Sequence, residues 1–241
     1  MTEMLKNIKA FDPSKYTNNS ARPLPVILLL DRSGSMGKEY NLVTGGVARI
    51  DILNKAVNEM IASFKNVSNN DVEIDVGIIS FGGDVSYDIK LSSANNISNI
   101  ALSANGNTPM GGALKLTKSL IEDKSIIPSK GYRPTIVLVS DGEPNDDWES
   151  AMNDFVSNGR TAKCERFALA IGTDADKSVL GKFVSSGNEV QEAKDASKIR
   201  SFFKFVTMSV TKRTKSQNPN ILLPQEEVNE ILKEILDEME L

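Results

Sequence analysis

Residues 25–37 read PVILLLDRSGSMG. An apolar run, 26–30, ends abruptly on Asp31, and Ser33 and Ser35 follow at alternate positions around Gly34. A run of this length without polar interruption suits a strand buried on both faces, as in a parallel sheet flanked by helices. The polar cluster then lies at the strand's carboxyl end, the edge at which open α/β sheets bind ligands.

Asp31, Ser33 and Ser35 offer one carboxylate and two hydroxyls, all hard oxygen donors, with no imidazole or thiolate beside them. Such a set suits Mg²⁺, Mn²⁺ or Ca²⁺ and argues against zinc. Mg²⁺ takes six oxygens, so three donors from one loop leave room for others from elsewhere in the chain. Two stretches are placed to supply them. GNTPMGG at 106–112 sets Thr108 in a Gly/Pro-framed loop before a helical pattern, and TIVLVSDGE at 135–143 repeats the first arrangement, an apolar strand capped by Asp141.

Asp-x-Ser-x-Ser, then Thr, then apolar-Asp-Gly, in that order, resembles the metal-ion-dependent adhesion site of von Willebrand factor A (vWA) domains. All five positions match: Asp31, Ser33, Ser35, Thr108 and Asp141. The resemblance implies that the hydroxyls bind the ion directly, that the carboxylates often act through water, and that an acidic side chain of a partner completes the shell. Taken singly, each residue has a plainer role. Asp31 could cap a strand, Ser33 and Ser35 could be turn residues, and Thr108-Pro109 could open a helix. Their combination carries the metal reading. Glu143 is a weaker candidate, since the motif requires no ligand there, and Trp148 and Phe155 read as core.

The chain has 241 residues, 40% of them hydrophobic, enough for one large α/β domain with a sizeable core. The net charge is −4, which excludes the basic footprint of a nucleic-acid binder. Residues 224–241 carry seven acids against Lys233, so the remainder is slightly positive and the acidity belongs to the tail. The single cysteine, Cys164, excludes an intrachain disulfide and reads as a buried small residue, and the absence of histidine excludes imidazole chemistry. No apolar window is long enough to span a membrane, and the charged first ten residues are unlike a secretory signal. A cytoplasmic protein is expected.

Along the chain, 1–24 reads as a polar segment and linker, 25–210 as the vWA-like domain, and 211–241 as a linker and an acidic amphipathic helix. Strands are expected at 26–30, 72–79, 85–91, 135–139, 164–171 and 190–191, with 85–91 an antiparallel edge strand behind a Gly82-Gly83-Asp84 turn. Helices are expected from about 51 to 64, then at 112–121, 147–158, 179–184 and 196–210. A helical turn is expected near 97–102. The adjacent Gly45-Gly46 makes 38–50 either a loop near the metal edge or a distorted first turn. This alternation predicts a doubly wound, mostly parallel six-stranded sheet with one antiparallel edge strand and helices on both faces. The tail helix, with Val228, Ile231, Leu232, Ile235, Leu236 and Met239 on one face, either packs on its own domain or docks a partner.

The broader match, over roughly 25–210, is to cytoplasmic bacterial vWA proteins of the TerY-like type, associated with tellurium resistance and stress response. It is carried by LLLDRSGSM at 28–36, TPMGGAL at 108–114 and YRP at 132–134 leading to SDGEP at 140–144. The 38–50 segment is longer than the usual link, so the resemblance leaves the rim of the site open. The resemblance implies a non-enzymatic, Mg²⁺-dependent protein-binding module, with a Ser/Thr kinase and a PP2C-type phosphatase as partners. Two alternatives stand beside it. An Mg²⁺-dependent phosphohydrolase of the haloacid dehalogenase type would need Asp-x-Asp, and Ser33 occupies the place of the general acid. A scaffold whose metal is purely structural is the other.

Overall fold

In a computed structural model, which describes residues 23–40, 46–68, 73–141, 143–172, 175–216, 220 and 224–239, the elements follow in this order. β1 (Pro23–Asp31) leads to a short ribbon, β2 (Glu39–Tyr40) and β3 (Val47–Ala48), and then α1 (Arg49–Val67). β4 (Glu73–Gly82) and β5 (Asp84–Ser93) precede α2 (Met110–Glu122), β6 (Thr135–Ser140) and α3 (Trp148–Ser157). β7 (Glu165–Ile171), α4 (Lys177–Phe183), β8 (Gln191–Ala193), α5 (Ala196–Lys215) and α6 (Gln225–Met239) complete the chain. The segment before residue 23, residues 41–45, Gly142 and most of the linker at 217–223 lie outside the described residues.

Six strands form one sheet in the order β5-β4-β1-β6-β7-β8, and only β5 runs antiparallel. This is the doubly wound architecture that the apolar runs imply. Residues 24–31 of β1 and all of β6 and β7 are buried. Alternate residues of β1 serve opposite faces. Leu24, Val26, Leu28 and Leu30 pack with α1 and α5, while Ile27 and Leu29 pack with α2, α3 and α4. The apolar stripe expected on α1 (Ile52, Leu53, Ala56, Val57, Met60, Ile61, Phe64) is buried throughout.

Three local expectations are corrected. The helical turn falls at Ala94–Asn96, not 97–102. The segment beyond is held extended because two side-chain amides of α1 imitate a neighbouring strand. Asn58 exchanges hydrogen bonds of 2.9 and 3.0 Å with the N–H and C=O of Ile100, and Asn54 bonds of 2.9 and 2.8 Å with those of Leu102. Part of 38–50 is neither loop nor helix start but the antiparallel ribbon, pairing Glu39 with Ala48 and Tyr40 with Val47. The last domain helix runs on to Lys215 because Arg213 turns inward at its end. The Arg213 guanidinium is buried at the amino ends of β6 and β7, pairs with Glu165, donates to Thr135 Oγ1 at 2.6 Å and donates to the Arg133 carbonyl at 3.1 Å.

The tail helix packs on its own domain. Ile231 and Ile235 of α6 are buried in the cluster that includes Val206 and Val210 of α5, and Val228 packs against it. Lys212 of α5 meets Glu227 and Glu230, each at 3.3 Å. The expected side-chain roles of Leu232, Leu236 and Met239 lie outside the described residues. Replacing Ile231 by Ala should cost about 2–4 kcal/mol, read as a lower urea midpoint, and replacing Ile235 as well should cost more. An unchanged midpoint would mean that α6 adds nothing to the domain.

Candidate metal centre

β1 lies between β4 and β6, and the chain passes from one side of it to the other, so its carboxyl end is the topological switch point of the sheet. The parallel register pairs Leu30 with Val139. Asp31 therefore leaves the sheet level with Ser140, with Asp141 one residue further on. Asp31, Ser33 and Asp141 are at most 2% exposed and Thr108 is 7% exposed, while Ser35 is half-buried.

Four of the five expected residues join in one hydrogen-bonded cluster. The Ser33 N–H donates to Asp31 Oδ1 at 2.8 Å. Ser33 Oγ and Ser35 Oγ lie 2.9 Å apart, and Ser35 Oγ donates to Asp141 Oδ1 at 2.6 Å. Thr108 reaches the same edge through its loop. The Gly34 N–H donates to the Gly106 carbonyl at 2.9 Å, the Asn105 N–H to the Arg32 carbonyl at 2.7 Å, and the Gly83 N–H to the Asn107 carbonyl at 2.8 Å. Two glycines permit this approach. A Cβ on Gly106, whose φ is +66°, would stand 2.4 Å from Gly83 Cα, and one on Gly82 would stand 2.5 Å from the Arg32 backbone. Glu143 is exposed, and Phe155 is buried against Phe183. Trp148 is half-buried, with Lys182 Nζ 4.8 Å from its ring centre.

Three contributors escaped the motif reading. Ser140 Oγ donates to Asp31 Oδ2 at 2.6 Å, a contact set by strand register. Arg49, the first residue of α1, donates to Asp141 Oδ2 at 2.7 Å, brought there by the ribbon. Asp146 accepts from the N–H groups of Gly111 and Gly112 at 2.9 and 2.8 Å, capping α2 from the loop that follows Asp141. A carboxylate at a helix start was a legible signal, but its distance in sequence hid the partner.

Burial pushes the Asp31 carboxyl up to about 6, and the nearby Asp141 adds to the rise, against the hydrogen bonds from Ser140 and Ser33. Among the described residues no group of three or more His, Cys, Asp or Glu side chains gathers. An ion here would depend on hydroxyls beside the two carboxylates. The set fits a small hard cation. Neighbouring oxygens around an octahedral Mg²⁺ stand about 2.9 Å apart, given its usual 2.0–2.1 Å bonds. The two serine hydroxyls have that spacing.

A model of the von Willebrand factor type A domain matches residues 26–205. Among solved structures, the chain is similar to the pilus adhesin SpaC from Lactobacillus rhamnosus GG, at 16% identity and a TM-score of 0.62 over 80% of this chain and 31% of that one. It is similar to a von Willebrand factor type A protein from Catenulispora acidiphila, at 20% identity and a TM-score of 0.58 over 79% and 42%. It is also similar to proximal thread matrix protein 1 from the mussel byssus, at 17% identity and a TM-score of 0.57 over 78% and 48%. The chain spans less than two thirds of each of these structures, and the likeness is one of fold. No curated protein sequence matches the chain.

The Asp31→Asn substitution tests the cost of the buried charge. The amide keeps both contacts, accepting from the Ser33 N–H and donating to Ser140 Oγ. The folded protein holds the Asp31 proton more tightly than the unfolded chain, so stability falls as pH rises from 3.8 to about 6. In chelator above that window, Asp31→Asn should be more stable than wild type by up to roughly 3 kcal/mol. The gap should close as pH falls through it. Urea unfolding on either side of the window reads this directly, and a less stable variant at neutral pH would refute it.

Proposed function

The chain belongs to the von Willebrand factor type A domain family, and on that footing we propose that it is a non-enzymatic, metal-dependent protein-binding module. Ser33, Ser35 and Thr108 would hold Mg²⁺, with Mn²⁺ or Ca²⁺ as substitutes, and Asp31 and Asp141 would balance its charge. The observation that supports this best is the convergence of Asp31, Ser33, Ser35 and Asp141 in one hydrogen-bonded cluster at the switch point of the sheet. A cation held partly by neutral hydroxyls stays electrophilic and would attract a carboxylate from a partner.

Several features favour binding over catalysis. The sequence has no histidine. Burial pushes the Cys164 thiol up to about 12, so it makes a poor nucleophile. Ser33 stands where a phosphohydrolase of the haloacid dehalogenase type would need an acid. The setting we propose, on the TerY-like segments, is a cytoplasmic bacterial stress-response or signalling complex, with a Ser/Thr kinase and a PP2C-type phosphatase as candidate partners. No helix among the described residues is long and apolar enough to cross a membrane.

Thermal melts should rise with Mg²⁺, by about 2.7 kcal/mol of stability at a hundredfold excess over Kd. The rise should vanish in Asp31→Ala and weaken in Ser35→Ala. A partner captured in Mg²⁺ should elute with chelator. Capture that ignores both chelator and Asp31→Ala would overturn the proposal, and Mg²⁺-dependent turnover of a phosphate ester, lost in Asp31→Asn, would replace it with the phosphohydrolase.

A further inference from the structure

The geometry points to Arg49 as a resident counter-ion that competes with the divalent cation for Asp141, so that uptake of the ion displaces a guanidinium already in place. This inference rests on the metal-binding reading above and adds a determinant of its strength.

Both oxygens of Asp141 are engaged. Ser35 holds Oδ1 at 2.6 Å and Arg49 holds Oδ2 at 2.7 Å. The ion pair is enclosed, with the Asp141 side chain fully buried and that of Arg49 11% exposed. The Coulomb interaction is therefore poorly screened. A divalent ion among the same hydroxyls would sit one carboxylate away from a fixed positive charge. Like charges at such a separation repel by a factor of ten or more in affinity, at the effective dielectric of a protein site.

The location of Arg49 argues that its charge faces the site rather than serving its own helix. It is the first residue of α1, where the helix dipole disfavours a cation. Ala48 before it makes no side-chain cap. Its backbone N–H donates to the Lys38 carbonyl at 3.0 Å, tying the start of α1 to the exit of the DxSxS loop. Between Lys38 and Arg49 lies the β2–β3 ribbon, which brings the start of α1, and with it a cation, to Asp141. A site of two carboxylates and one guanidinium carries a net charge of −1, against −2 for the carboxylates alone, and so attracts Mg²⁺ more weakly.

Titration calorimetry with MgCl₂ or MnCl₂ on wild type, Arg49→Gln, Arg49→Lys and Asp31→Ala tests this. Arg49→Gln should bind the ion at least about tenfold more tightly than wild type. Arg49→Lys keeps the charge, but its shorter side chain and single-point ammonium would hold Asp141 less firmly, so it should fall between the two. Asp31→Ala should not bind. A purely structural Arg49 would instead loosen the site when replaced. Equal or weaker binding by Arg49→Gln, or by Arg49→Lys should Arg49→Gln fail to fold in chelator, overturns the competition and leaves the metal site standing. Binding by Arg49→Gln where wild type shows none supports it in its strongest form. Absence of binding in wild type and both Arg49 variants overturns the metal site and the competition together.

Discussion

Two carboxylates, Asp31 and Asp141, are held out of water at the ends of adjacent parallel strands, and the carboxyl edge of the sheet is arranged around making that tolerable. Neither could be placed so without β1 and β6 lying side by side in register. Burial and mutual repulsion both disfavour the second negative charge. Ser33 and Ser140 hydrogen-bond one carboxylate, and Ser35 and Arg49 hydrogen-bond the other. The edge remains short of positive charge, and the proposed cation would supply it.

The loops around this pair are set by backbone more than by side chains. The 105–107 segment hydrogen-bonds to both 32–34 and 82–83, and the carboxylate of Asp146 fixes the start of α2 from the loop beyond Asp141. Thr108 is positioned by this mesh, with its carbonyl accepting from the N–H groups of Met110 and Asn145. The hydroxyl that the sequence motif points to thus depends on glycines and on an aspartate outside the motif. At the opposite, amino edge, Arg213 ties the end of α5 to Glu165 and Thr135, so the two ends of the sheet are secured by unrelated polar devices.

The fold was legible because its central strands are apolar on both faces, and few folds other than a helix-covered parallel sheet bury a run such as 26–30. The five motif residues were legible because their types recur in order behind those strands. What stayed hidden depends on contacts distant in sequence. Ser140 meets Asp31 through strand register, which no local pattern encodes. Arg49 lies beyond a ribbon that the glycines at 45–46 disguised as irregular chain. The extended run after Asn96 is imposed by Asn54 and Asn58, polar residues on a helix whose pattern gives no hint of their partners. Arg213 extended α5 past the point where its apolar spacing stops.

The two borders of the sheet bear on how the protein behaves in a crowded solution. On one side β8 is three residues long. On the other, β5 turns Asp84, Asp88 and Lys90 to solvent, and its pairing with β4 slips at Val76 to Ile79. A fibril recruits a long, flat, uncharged row of amides. Among the described residues neither border offers one, so the sheet that gathers the carboxylates presents no ready template for edge-to-edge polymerisation.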